Sequence, residues 1–250
     1  MPNPVELLRN APIIEAVLDF RTSLPVTTTM ETLKRAADSV AGRYSEPEEL
    51  HNIAVRGMLS PGRSTQPEVS DELLGYRLKS GDGTRLVQFR LDGFTFNHLP
   101  PYSNWESFSS EAWEHWQTYL QLAAPTAVTR IALRYINRHT FAPGERANDY
   151  IATPPSYSAD VPGELTSFLF QAQLKLPGSE NANATVIQFT EPPDTVSGGE
   201  TYVLDIDASR TGSFPVSDTE RFKNYFTELR NFKNEIFFNT VTPQAIALWK

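Results

Sequence analysis

Residues 130–140 alternate between apolar and basic side chains, and this period of two is the feature that most narrows the folds open to the chain. One phase contains Ile131, Leu133 and Tyr135, and the opposite phase contains Arg130, Arg134 and Arg138. Such alternation predicts a β-strand that buries one face and leaves the other polar. The arginines recur at every fourth position, which makes the polar face of this strand the first place to look for function.

The same alternation predicts a half-buried strand over residues 12–22, with Glu15 and Asp19 on its polar face. The Asp92-Gly93 pair predicts a tight hairpin between two further strands, and a β-bulge in one long strand is the alternative. Further strands are predicted at 48–59, 73–79, 84–91, 94–99, 165–176, 184–191 and 201–209.

Helices are predicted at 28–44, 102–125 and 217–238, each opened by a capping box. The three boxes are Thr28 with Glu31, Ser103 with Glu106, and Ser217 with Glu220. The second and third helices carry aromatic residues at helical spacing, which predicts core packing rather than base stacking. Thr242 and Pro243 predict the start of a short last helix.

The order of these elements predicts an α+β protein built from two similar antiparallel sheet-plus-helix units, the arrangement expected of a pseudo-duplication. The first unit spans 1–141 and the second spans 165–250. Residues 142–164 are predicted as a linker because they are rich in proline, alanine, serine and glycine. Both units could still pack as one domain.

Composition sets limits on function. The chain has 250 residues, a net charge of −8 and no cysteine. The acidic balance opposes binding to a nucleic-acid backbone, and the lack of cysteine excludes disulfides, thiolate metal sites and cysteine nucleophiles. The N-terminal residues lack the pattern of a signal peptide, and no apolar run is long enough to span a membrane, so a cytoplasmic protein is expected.

Several stretches resemble a sporadically distributed family of uncharacterised bacterial proteins of about this length. They are "LRNAPIIEAVLDFR", "GYRLKSGDGTRLVQFRLDGFTFNHLPPYSNWESF", "VTRIALRYINRHTF", "YVLDIDAS" and "LRNFKNEIFFNTVT". The resemblance extends over nearly the whole chain and implies a bacterial protein. It implies no reaction and supplies no catalytic residue.

The polar sheet face is the predicted binding site, with Arg134, Arg138, Arg90, Glu15 and Asp19 as its residues. Arg134 and Arg138 lie about 13 Å apart along a strand, so together they cannot hold one small carboxylate. Each could hold one group of an extended anionic ligand. The alternative is a cross-strand ion ladder in which Glu15 and Asp19 neutralise these arginines.

Other constellations are weaker. Asp205 and Asp207 share one strand face and could hold a divalent metal, but no phosphate-binding turn precedes a helix ahead of them. The four histidines have no metal-ligand spacing, and no nucleophile elbow is present. No motif predicts a cofactor.

The sequence therefore predicts a non-catalytic binding or protein-interaction module. An enzyme or sensor that acts on an anionic small molecule or nucleotide through the arginine-lined face is the alternative. A protein partner could bind the loops at 60–72 or 192–200. The sequence leaves the oligomeric state open.

Overall fold

A computed structural model describes residues 8–56, 68–156, 158, 160–163, 165–191 and 198–250. The strands are β1 (Ile13–Ser23), β2 (Glu48–Arg56), β3 (Glu68–Lys79), β4 (Arg85–Arg90), β5 (Gly93–His98), β6 (Ala127–Thr140), β7 (Leu169–Lys175), β8 (Ala182–Glu191) and β9 (Thr201–Phe214). The helices are α1 (Met30–Asp38), α2 (Trp105–Ala123), α3 (Thr219–Thr240) and α4 (Pro243–Leu248), with one 3₁₀ turn at Ala147–Tyr150.

All nine strands belong to one antiparallel sheet in the order β2-β3-β4-β5-β1-β6-β9-β8-β7. The antiparallel α+β prediction is therefore confirmed at this level. The two predicted units do not form separate sheets, because β1 and β6 pair directly at the centre. Within the described residues, no helix is both long enough and apolar enough to cross a membrane.

The core lies between one face of the sheet and the helices α1, α2 and α3. Phe20 of β1 is central to this layer. Its ring stacks on Trp116 of α2 at 3.9 Å between centroids, and it meets Phe226 of α3 edge-on at 5.2 Å. The predicted aromatic stripes are therefore core, and both long helices meet on the same strand residue.

The last predicted helix begins at Pro243 after the N-cap Thr242, as predicted, but each of the three helices with a predicted capping box begins one residue later than that box suggested. The N-caps are Thr29, Asn104 and Asp218 rather than Thr28, Ser103 and Ser217. The Asn104 side chain accepts a hydrogen bond from the Ser107 N–H at 2.8 Å. Asparagine is as good an N-cap as serine, so in a Ser-Asn pair either residue can serve as the N-cap.

The predicted hairpin at Asp92-Gly93 is confirmed, but its turn lies one residue earlier. Arg90 pairs with Gly93 across the ladder, so Leu91 and Asp92 form the turn and Gly93 opens β5. Gly93 also pairs with Arg21 on the other side, and a Cβ placed on it would lie 2.0 Å from the Phe20 carbonyl oxygen. Only glycine allows β1 to approach this closely.

Replacing Gly93 with alanine is expected to lower the free energy of unfolding by about 1–3 kcal/mol, because the added methyl forces β1 and β5 apart. The positive φ of 152° at Gly93 adds backbone strain. The matched control is Gly42→Ala, since a Cβ at Gly42 has no atom within 4 Å. Chemical denaturation of both variants checks this; equal stability would contradict the close-approach argument.

The predicted linker contributes to the core. Ala147, Tyr150 and Ile151 are buried, and Ile151 forms an isolated bridge with Val241 just before α4. The Tyr150 ring stacks on Phe141 at 4.3 Å. This part of 142–164 is thus tied to the end of β6 and to the chain after α3.

Candidate functional site

The face of the sheet opposite the core carries the predicted arginines. Ile131, Leu133 and Tyr135 are buried against the helices, as the alternation predicted. Arg130, Arg134 and Arg138 lie in the opposite phase of β6. Arg138 donates to Glu191 of β8 at 2.8 Å, on the exposed part of this face.

Asp19 is the hub of a buried charge cluster on this face. It accepts hydrogen bonds from Arg90 Nη2 at 3.0 Å and from Thr95 Oγ1 at 2.7 Å. Arg130 Nη1 and Arg21 Nε lie 3.5 and 3.3 Å from its other oxygen. Burial lowers the pKa of the Arg90 guanidinium, and the charge of Asp19 opposes this shift. Asp19 is thus surrounded by cations.

Arg134 is also paired, but not with the carboxylates proposed from the sequence. Its Nε and Nη2 bind both oxygens of Asp205 on β9 at 2.8 and 2.5 Å, and this contact raises the Arg134 pKa. On β1, Arg134 lies opposite Val17. Glu15 accepts from Asn97 at 2.6 Å instead. The ladder therefore forms chiefly between β6 and β9, a neighbour that the sequence did not suggest.

Four arginines and four aspartates balance one another on this face, a set we call the sheet-face cluster. Its members are Arg21, Arg90, Arg130, Arg134, Asp19, Asp92, Asp205 and Asp207. The cluster has no net charge because its carboxylates neutralise its guanidinium groups. It therefore offers a further anion no net electrostatic attraction.

The same cluster bears on the predicted metal pair. Arg130 Nη2 binds both oxygens of Asp207 at 2.8 and 2.7 Å, while Arg134 holds Asp205. Each carboxylate is already engaged by a guanidinium, which would repel a bound cation. Among the described residues, no group of three or more acidic or histidine side chains is placed to hold a metal ion.

The side of the sheet that the helices cover holds a different kind of site, a cavity of about 140 Å³. It lies between the start of α2 and the second half of α3, above β6 and the beginning of β1. We call it the interhelix pocket and define it by Tyr102, Asn104, Tyr135, Arg230, Lys233 and Phe237. A cavity of about 150 Å³ is enough for benzene, so this pocket suits a ligand of a few heavy atoms.

Lys233 is the unusual residue of the interhelix pocket. It is only 8% exposed, and no carboxylate among the described residues pairs with it. Its Nζ lies 3.8 Å from the centre of the Tyr135 ring. Burial, together with the charge of Arg230, lowers the pKa of Lys233 to about 7. A buried lysine without an anionic partner costs stability and often marks a functional site.

The pocket has further features that favour an anion. Arg230 lies one helical turn before Lys233, with its guanidinium 5.4 Å from the centre of the Trp105 ring. The 19-residue helix α2 begins at the pocket, and a helix N-terminus attracts negative charge. Among the described residues, Glu106, an exposed residue, is the one carboxylate in the lining. Two cations therefore face one acid.

Two tyrosines complete the wall. Their hydroxyl groups, on Tyr102 and Tyr135, are hydrogen bonded at 2.8 Å. Burial raises the pKa of both phenols, so they stay neutral at ordinary pH and serve as hydrogen-bond donors rather than as anions. They therefore do not neutralise Lys233.

Sequence reasoning missed Lys233, although a signal was present. Lys233 lies four residues after Leu229 and four before Phe237, which places it on the apolar stripe of α3. A helical-wheel projection of α3 shows a charged residue within a stripe of buried phenylalanines.

A serine–histidine contact lies beside the pocket. The His98 Nδ1 atom lies 2.7 Å from the Leu99 carbonyl oxygen and 3.2 Å from Arg85 Nη1, and its Nε2 atom lies 3.2 Å from Ser103 Oγ. Burial lowers the His98 pKa, so the ring is neutral. A backbone carbonyl, rather than a carboxylate, orients the ring, and the contact fixes the chain where it enters α2.

Comparison of the chain with models of known protein families found no match, and comparison with curated proteins found none either. The resemblance to a bacterial family therefore stays a prediction. The site has to be interpreted from its own chemistry.

Proposed function

We propose that the protein binds a small carboxylate or similar anion in the interhelix pocket. The observation that carries this proposal is Lys233, a buried cation that lines a cavity and lacks an anionic partner among the described residues. A bound anion would supply that partner. Arg230 and the start of α2 add favourable charge, and the aromatic walls exclude water, which strengthens each interaction.

This proposal keeps the predicted binding module and the predicted anionic ligand, and it moves the site from the sheet to the helix layer. The arginines of the sheet-face cluster are matched by aspartates, whereas no carboxylate in the described part of the chain forms an ion pair with the pocket cations. Residues 60–67 and 192–197, parts of the loops suggested for a protein partner, lie outside the described residues, so that suggestion stays a prediction.

We also infer that the two halves of the chain derive from one repeated unit, with β6 assigned to the second unit instead of to the first unit (1–141) predicted from the sequence. The strand order β1-β5-β4-β3 followed in sequence by α2 parallels β6-β9-β8-β7 followed by α3. On this view the interhelix pocket lies where the two units meet. It uses the start of one long helix and the second half of the other.

Calorimetric titration with lactate tests the proposed function. Binding at pH 8 is expected to take up as much as one proton, because the anion stabilises the charged form of a lysine whose pKa is about 7. The uptake is measured by comparing the binding heat in two buffers of different ionisation enthalpy. At pH 6 the lysine is already charged, so the uptake is expected to vanish.

Lys233→Met is expected to weaken lactate binding about tenfold or more, since a charge-assisted hydrogen bond contributes roughly 1.5–3 kcal/mol. Lys223→Met is the matched control. Lys223 lies on the same helix but is exposed and pairs with Glu220 at 2.7 Å. Loss of binding in Arg134→Ala but not in Lys233→Met would overturn the proposal and return the site to the sheet face.

A further inference from the structure

Lys233 has the properties of a nucleophilic amine as well as those of a cation that binds an anion. A lysine reacts with carbonyl carbons only in its neutral form, and burial in an apolar site is one of the ways in which proteins obtain that form. With a pKa of about 7, close to half of the Lys233 side chains are neutral at pH 7, whereas an exposed lysine is almost wholly charged.

The remaining walls suit a carbonyl compound that also carries a carboxylate. Arg230 is three residues from Lys233, so the two side chains are neighbours on the surface of α3. The planar guanidinium of Arg230 can hold a carboxylate while the amine reaches a carbon next to it. One of the neutral hydroxyl groups of Tyr102 and Tyr135 donates to the other, which leaves the second hydroxyl to donate to a carbonyl oxygen.

We propose that Lys233 forms a reversible imine with a small oxo acid bound in the interhelix pocket. This inference rests on the proposed function, since it requires the same pocket to bind the carboxylate. The cavity of about 140 Å³ favours acids the size of glyoxylate or pyruvate.

The step balances without a further reactant. The Lys233 nitrogen attacks the carbonyl carbon and forms a C–N bond, while the carbonyl π electrons move to oxygen to give a carbinolamine. One water then leaves with the carbonyl oxygen and both hydrogens of the amine, and a C=N bond remains. Neither partner is oxidised or reduced, and addition of water reverses the reaction.

Reductive trapping tests the imine. The full chain is incubated at pH 7 with pyruvate or glyoxylate and sodium cyanoborohydride, followed by intact-mass measurement and peptide mapping. One adduct per chain is expected first, on Lys233. The other lysines, at 34, 79, 175, 223 and 250, together with the α-amino group, serve as internal references for background labelling.

The pH profile separates a reactive site from general lysine labelling. The initial trapping rate at Lys233 is expected to rise to a plateau with a midpoint near pH 7, whereas the rate at a lysine of ordinary pKa should keep rising to about pH 10. The charged and titratable groups around Lys233 are Arg230, Glu106, Tyr102 and Tyr135. Of these, none but Glu106 is a carboxylate.

Two variants make the outcomes distinct. Lys233→Met should lose the selective adduct, and Lys223→Met, which changes an exposed lysine of the same helix, should keep both the adduct and lactate binding. Lactate has no carbonyl next to its carboxylate, so it reports on binding alone. Lactate binding without selective trapping at Lys233 would overturn the imine and leave the proposed function standing. Loss of both would overturn both.

Discussion

Replacing Asp19 with alanine is expected to lower the free energy of unfolding by about 3–5 kcal/mol, the usual cost of removing one partner from a buried ion pair. Asp19 and Arg90 are 7% and 8% exposed. Without Asp19, Arg90 still donates a hydrogen bond to Asp92 at 2.8 Å, but it loses its buried carboxylate partner. Thr95 Oγ1 loses its acceptor as well. Urea denaturation followed by circular dichroism measures the effect.

Asp38→Ala is the matched control, because Asp38 pairs with Lys34 on the exposed side of α1 at 3.0 Å. An exposed pair one helical turn apart contributes roughly 0.3–0.5 kcal/mol. The double variant Asp19→Leu with Arg90→Met removes both charges and should lose less stability than Asp19→Ala alone. If Asp19→Ala and Asp38→Ala cost the same, the buried cluster is not a structural element of the sheet.

Local pattern was enough to predict the faces of individual strands. Ile131, Leu133 and Tyr135 are buried and the arginines of β6 lie on the other side, because successive side chains of a strand must alternate. The hairpin at 91–92 and the aromatic helix faces were predictable for the same reason. Helix starts were misplaced by one residue where Ser103 and Asn104 offered equivalent caps.

The partners of those faces could not be predicted from local pattern. Whether Arg134 meets Glu15 or Asp205 depends on which strands flank β6, and β9 lies more than 60 residues away along the chain. The interhelix pocket poses the same difficulty in a stronger form. It exists because α2 starts beside the second half of α3, and no spacing within either helix encodes that meeting.

Lys233→Met is expected to stabilise the protein near and below neutral pH, with a gain on the order of 5 kcal/mol that disappears at high pH. Lys233 has a pKa of about 7 when folded and an ordinary value of 10.5 when unfolded. Between these values the unfolded chain binds one more proton than the folded chain. The stability of the wild type should therefore rise with pH over this window, relative to the variant.

The measurement is the difference in unfolding free energy between the wild type and Lys233→Met, taken by urea denaturation from pH 5.5 to 9.5. The difference should be constant below about pH 6.5 and then shrink by about 1.4 kcal/mol for each pH unit. Subtracting the variant removes the titration of Tyr102 and Tyr135, whose raised pKa values act on both proteins at alkaline pH. Lys223→Met should show no such slope.

A difference that does not change with pH would mean that Lys233 titrates alike in the folded and unfolded states. The folded protein would then not hold the neutral amine that the imine requires. The alternative outcome is a stability difference that changes only at pH 7 and above, together with loss of lactate binding in Lys233→Met. This outcome would show that Lys233 lowers the stability of the protein and is required for ligand binding.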